Sequence, residues 1–141
     1  MLRKQYADSF LAVERPYFRE RVQNVQHAAY SGYLWDCVAN PEIISADVFL
    51  RGLCCYKAAF FMSDCHPAEK AENDVSRDLL SGSVFRARVI DVAAVLGQLP
   101  EDLYFFDEDM GWTLIVTHEY VNGIRWCIRA TGTQKVGPPI Y

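Results

Sequence analysis

Asn122-Gly123 lies between two runs dense in β-branched and aromatic residues, LIVTHEYV before it and IRWCIR after it. Both central residues of a type I′ turn need positive φ, which this dipeptide tolerates, so it marks a tight β-hairpin. A two-residue loop also fixes the register. Val121 is expected opposite Ile124, Tyr120 opposite Arg125, Glu119 opposite Trp126 and His118 opposite Cys127. Thr117 then faces Ile128, and Val116 faces Arg129. Side chains alternate along a strand. One face therefore carries Ile115, Thr117, Glu119, Val121, Ile124, Trp126 and Ile128, the expected core face. The other carries Trp112, Leu114, Val116, His118, Tyr120, Arg125, Cys127 and Arg129. Its mixture of aromatics, Arg and His predicts a face partly wet or turned to a partner. Leu103–Phe106 reads as a third strand, joined to the hairpin by a loop at Asp107–Gly111.

Such a meander needs covering elements. Residues 4–14 predict an amphipathic helix, interrupted at Pro16. Tyr17–Ala29 predicts a second, because Phe18, Val22, Val25 and Ala29 recur at helical spacing. Tyr33–Val38 reads as a helical turn closed by Asn40-Pro41. Ser45 is placed to cap a helix over Ala46–Leu53, and Gly52 is expected to weaken it or mark its end. Cys55–Met62, apolar on both alternating faces, reads as a buried strand joining the meander. Ser63–Pro67 reads as a loop. Ala68–Leu80 predicts a polar helix with Val75 and Leu79 facing in. Val84–Val89 is extended or begins a helix, and Asp91–Leu96 is helical with Gly97 as its cap. The fold class is α+β: an antiparallel sheet of about four strands with a C-terminal meander, packed by N-terminal helices.

The chain has 141 residues, 51% of them hydrophobic and 13% aromatic, which suits one domain with its own core. Residues 1–141 are read as that single domain, with 131–141 a Gly/Pro-rich tail. No apolar run approaches the length of a bilayer span. MLRKQYADSF has no apolar region of the kind a signal peptide needs. The five cysteines match no disulfide or zinc-finger spacing, so a cytoplasmic chain with reduced thiols is expected. A net charge of −4 argues against general nucleic-acid binding.

Charge is distributed unevenly. Val89 through Ile124 holds seven acids, Asp91, Glu101, Asp102, Asp107, Glu108, Asp109 and Glu119, and no Lys or Arg. Such a field speeds encounter with a basic partner. Trp112, Phe106 and Tyr104 beside it could supply desolvated anchors. The partner-binding set is therefore Glu101, Asp102, Asp107, Glu108, Asp109, Trp112, His118 and Glu119. The competing explanation is a solvated turn, with Trp112 packed in the core.

Other chemistry is weaker in the sequence. His118 opposite Cys127 could form a thiolate–imidazole pair, but no third orienting group is evident. Cys54, Cys55, Cys65, His66, His118 and Cys127 lack metal-site spacing, and no metal or cofactor is expected. Asp107-Glu108-Asp109 lacks the later ligands of a calcium loop. Glu119, on the expected core face, would need a partner or a proton unless it lies at the sheet's end, where it reaches water.

The run LPEDLYFFDEDMGWTLIVTHE resembles the C-terminal signature of small bacterial proteins of unknown function, some similar to immunity proteins that neutralise polymorphic toxins. The matching positions are Asp107, Trp112, Thr113, Thr117, His118 and Glu119, with Tyr33-Leu34-Trp35 upstream in the same pattern. The resemblance spans at most a third of the chain and implies no established activity. The leading expectation is a cytosolic binding protein, monomer or homodimer, that occludes a basic toxin; neither nucleic acid nor membrane is expected as a partner. The alternatives are a small enzyme using His118 with Glu119 or Cys127, and a structural homo-oligomer.

Overall fold

The computed structural model describes residues 2–12, 22–24, 29–30, 33–65 and 71–132. Helix α1 spans Leu2–Phe10, and the short strands β1 and β2 span Val22–Asn24 and Ala29–Tyr30. A 3-10 turn at Leu34–Cys37 precedes β3 at Glu42–Ile44 and α2 at Ala46–Leu53. Then come β4 at Ala58–Ser63, α3 at Asp74–Leu80, β5 at Phe85–Arg88 and α4 at Val89–Ala94. A second 3-10 turn, Leu96–Gln98, leads into β6 at Leu103–Phe106, β7 at Trp112–Val121 and β8 at Ile124–Thr131.

The class is α+β, as the sequence pattern implies, but the main sheet has six antiparallel strands in the order β3-β8-β7-β6-β4-β5. The two extra strands are the edges. They are three and four residues long, too short to show an alternation that distinguishes strand from loop. Val22–Asn24 and Ala29–Tyr30 pair with each other rather than continuing a helix. The Phe18–Ala29 stripe had suggested that helix, and propensity there is a weak prior that context overrides. The remainder of Tyr17–Ala29, and most of the tail, lie outside the described residues; Thr131 belongs to β8.

Both faces of the sheet are cores; on the face expected to be partly wet, Leu114, Val116 and Cys127 are buried while Tyr120 is exposed. On one, Tyr6, Phe10, Leu34 and Cys37 cover Met62, Tyr104, Phe106, Ile115 and Ile128. On the other, Phe49, Leu53, Leu79 and Val92 cover Phe61, Leu103, Phe105, Leu114, Val116 and Cys127. All four residues of β6 are buried, so its apolar run is that of a strand packed on both sides. Tyr6 illustrates the fit. Its ring lies 4.7 Å from Phe10 and 5.0 Å from Phe106. Its hydroxyl donates to Thr113 Oγ1 at 2.7 Å, and Thr113 in turn donates to Phe105 O at 2.9 Å. Burying such a ring contributes about 2–3 kcal/mol, kept because the polar tip is satisfied.

Ser45 caps α2 by accepting from Val48 N at 3.2 Å. Gly52 lies within that helix and faces the sheet, where a Cβ would stand 3.4 Å from Leu114 Cδ1, an ordinary contact. In α3, Leu79 and Leu80 face in while Val75 is exposed. Asn73 caps this helix, accepting from Ser76 N at 2.7 Å. Gly97 lies within a 3-10 turn and is not a helix cap. The hairpin turn forms as its residues require, with φ of +53° at Asn122 and +78° at Gly123. Val121 and Ile124, expected in the core, project beyond the covering helices and are exposed.

Candidate functional site

The expected register holds at the hairpin tip and then shifts. Tyr120 opposes Arg125, but Val116 opposes Cys127, and Ile115 opposes Ile128. Thr117, His118 and Glu119 on β7 thus stand against Trp126 alone, a bulge with two extra residues. Bulges interrupt pairing and re-aim side chains. The freed backbone groups find other partners. Thr117 Oγ1 donates to Trp126 O at 2.6 Å, and Arg125 Nε donates to Thr117 O at 2.8 Å. His118 N donates to Asp102 Oδ1 at 3.0 Å.

Asp102 is the anchor of the site. It is 9% exposed, so its carboxylate must be compensated by hydrogen bonds. Besides the His118 amide, it accepts from Trp35 Nε1 at 3.0 Å. The ring nitrogen Nδ1 of His118 lies 2.9 Å from both of its oxygens. The opposite ring nitrogen, Nε2, is 3.2 Å from Glu119 Oε1. The imidazole is therefore gripped on its inner side and faces a half-exposed carboxylate on its outer side.

A second buried carboxylate stands behind it. Asp64 is 1% exposed; it accepts from Leu34 N at 3.0 Å and from Tyr104 OH at 2.7 Å. Tyr104 OH accepts in turn from Trp35 N at 2.9 Å. These bonds fix the 3-10 turn that carries Tyr33 and Trp35. The two rings stack at 5.5 Å with 14° between planes, and Tyr33 lies 4.7 Å from the His118 ring. Tyr33, Trp35 and His118 are all partly exposed.

Electrostatics follow from this placement. Burial pulls the His118 pKa down, but its hydrogen bond and charge pairing with Asp102, and the charges of Glu119 and Glu101, outweigh it and raise the pKa above the ordinary value. The ring is accordingly biased toward imidazolium. Burial, aided by the negative charge of Asp102, Asp64, Glu119 and Glu101, raises the Tyr33 phenol, so it stays neutral.

The sequence-predicted residues divide into two groups. Glu101, Asp102, His118 and Glu119 meet at one end of the meander. Asp107, Glu108, Asp109 and Trp112 lie at the other, beyond β6, whose four residues span roughly 13 Å. There Asp107 Oδ1 accepts from Gly111 N at 3.3 Å, a turn-stabilising contact, while Glu108 and Asp109 are exposed. Trp112 stacks on Tyr56 at 4.0 Å with 12° between planes, outside the acidic cluster that gathers around His118.

The proposed Cys127–His118 pair does not form. Cys127 opposes Val116, is fully buried, and burial raises its thiol pKa, which disfavours a thiolate nucleophile. Glu119 is not a core carboxylate either; the bulge carries it to the rim, where its side chain is 48% exposed. Among the described residues, no three His, Cys, Asp or Glu converge as metal ligands; His66 lies outside them. Asp64 was hidden in an apparent loop, with no local signal for its role. Tyr33 and Trp35 did carry one, as paired aromatics in a short apolar segment. All five cysteines are free thiols, and no helix among the described residues is long and apolar enough to cross a membrane.

Compared with protein-family models, curated proteins and solved structures, the chain matches none.

Proposed function

We propose that this is a cytosolic binding protein whose recognition surface is the aromatic and acidic face formed by Tyr33, Trp35, His118, Glu119 and Glu101. One observation carries the proposal. Two buried carboxylates support the cluster: Asp102 bonds the partly exposed Trp35 and His118 side chains, and Asp64 bonds Leu34 N and the buried Tyr104 hydroxyl beneath them. Burying charge is costly and stabilises little in net terms. Spending two such groups on a surface cluster is what preorganised recognition requires. Free thiols at all five cysteines suit a reducing compartment. The more specific form of the proposal is an immunity-type protein that occludes a basic toxin; it draws on the resemblance carried by Asp107, Trp112, Thr113, Thr117, His118 and Glu119.

The test is affinity capture at low and high salt with two variants. One is Tyr33→Ala/Glu119→Gln; the other is Asp107→Asn/Glu108→Gln/Asp109→Asn. A single stoichiometric basic partner, released at high salt and lost with the first variant, is the expected result. Retention by the first variant would place recognition elsewhere.

One observation favours a second reading. Asp102 orients the His118 ring and leaves Nε2 facing outward, an arrangement suited to general acid–base catalysis. That reading requires a small substrate beside Nε2, and it fails if a fragment screen moves no His118 ring resonance.

A further inference from the structure

When protonated, His118 is itself a cation within the aromatic and acidic face. Its Nε2 lies 3.2 Å from Glu119 Oε1, and its ring lies 4.7 Å from that of Tyr33. A basic side chain arriving from a partner would seek the same carboxylate and the same ring. We propose that the face receives a guanidinium group, and that protonated His118 competes with it for Glu119, so the partner is held more tightly as His118 loses its proton. This rests on the proposed binding face and adds the chemistry of the guest and its regulation.

The guest is assigned by complementarity. A guanidinium is planar, stacks on aromatic rings and can bridge both oxygens of a carboxylate. Tyr33 and Trp35 provide parallel rings, and Glu119 provides a half-exposed carboxylate. A cation over the face of such a ring is attracted by the ring's quadrupole.

The groups around His118 set the direction of the switch. Asp102, from the loop before β6, holds Nδ1. Glu119 on β7 faces Nε2. Glu101 adds negative charge. Tyr33 and Trp35 from the 3-10 turn contribute neutral rings. Arg125 on β8 is engaged by two carbonyls, those of Thr117 at 2.8 Å and Glu101 at 3.1 Å. The proton on His118 is the charge that changes. When it leaves, Glu119 loses its internal counter-charge and the face becomes more negative.

The probe is N-acetylargininamide, followed by NMR on the intact chain from about pH 6 to about pH 8.5, a range that spans ordinary imidazole titration and its upward shift. Resonances of Tyr33, Trp35 and Glu119 are expected to move, with affinity rising on the order of fivefold over that range. Linkage requires the converse: saturating probe should lower the apparent pKa of His118. In His118→Asn, whose amide can still donate to Asp102, the pH dependence should vanish. If the variant does not fold, the reciprocal titration of the wild-type chain still decides. Shifts at Tyr33 and Trp35 with equal affinity at every pH would overturn the competition while leaving the binding face intact. No shift at these residues at any pH would overturn both.

Discussion

The two ends of β6 carry similar residues arranged for different work. At its start, Glu101 and Asp102 meet Trp35, His118 and Glu119; at its end, Asp107, Glu108 and Asp109 lie near Trp112. The first end is connected inward. Asp102 accepts from the Trp35 indole, the His118 amide and the His118 ring. At the second end, Asp107 makes a local turn contact, and Glu108 and Asp109 are solvated. Acidic composition alone therefore does not identify a site. What distinguishes the ends is where the carboxylate sits and how many donors depend on it.

The largest test of that difference is Asp102→Ala. It leaves three donors without their acceptor in a largely buried position. The expected loss is about 3 kcal/mol in chemical denaturation, in line with charge-assisted hydrogen bonds and the penalty for orphaned groups. A loss below about 1 kcal/mol would show that water replaces the carboxylate readily and would remove the contrast between the ends. Asp102→Asn is milder, because the amide oxygen still accepts, and it should let the His118 pKa fall.

The turn end is held by close backbone fit rather than charge. A Cβ on Gly132 would stand 2.0 Å from Met110 O, and Gly132 N donates to Gly111 O at 3.2 Å. Met110 adopts φ of +55° and buries its side chain in the core beneath α1. Gly132→Ala should therefore destabilise by about 2 kcal/mol, as overpacking typically does. An unchanged thermal midpoint would mean that β8 can move away from the turn without loss.

A smaller effect concerns pH. The folded pKa of His118 is raised, so folding takes up a proton where the unfolded chain has begun to lose it. This contribution is fully present below the unfolded value of about 6.5. It is lost as pH rises through the folded pKa. The side chain is 30% exposed, so solvent screening keeps the effect modest. Denaturation midpoints of the wild type should fall more than those of Asp102→Asn across this window. Parallel curves would show that Asp102 does not hold the proton.

Sequence pattern reached the local elements further than the His118 site, for a physical reason. Asn122-Gly123, the Ser45 cap and the Leu103–Phe106 strand are local: each is decided by a few adjacent residues, and each forms as expected. The bulge at Thr117–Glu119 is not local. It depends on Asp102, sixteen residues from His118, and on Arg125 across the hairpin. Without those partners the two-residue turn implies an unbroken ladder, with His118 opposite Cys127 and Glu119 opposite Trp126. Asp64 is legible only in three dimensions, because its donors come from residues 30 and 40 positions away. Edge strand β3 carries no signal, and Val84–Val89 allows strand or helix start where β5 forms, for another reason: three or four residues carry too little alternation to decide.

The smallest expected effect falls on the acids that stand out most in the sequence. Asp107→Asn/Glu108→Gln/Asp109→Asn removes three charges yet preserves every acceptor the turn uses. The Asn side-chain oxygen can still accept from Gly111 N, as Asp107 does at 3.3 Å. Glu108 and Asp109 are exposed and make no contact within the turn that their amides would break. The stability change should lie within about 0.5 kcal/mol, the usual range for surface substitutions. Mutual repulsion among the three acids even favours a slight gain at low salt, fading as salt screens it. A loss above about 1 kcal/mol would mean that these charges support the fold through partners beyond the turn, and the two ends of β6 would then differ in degree rather than in kind.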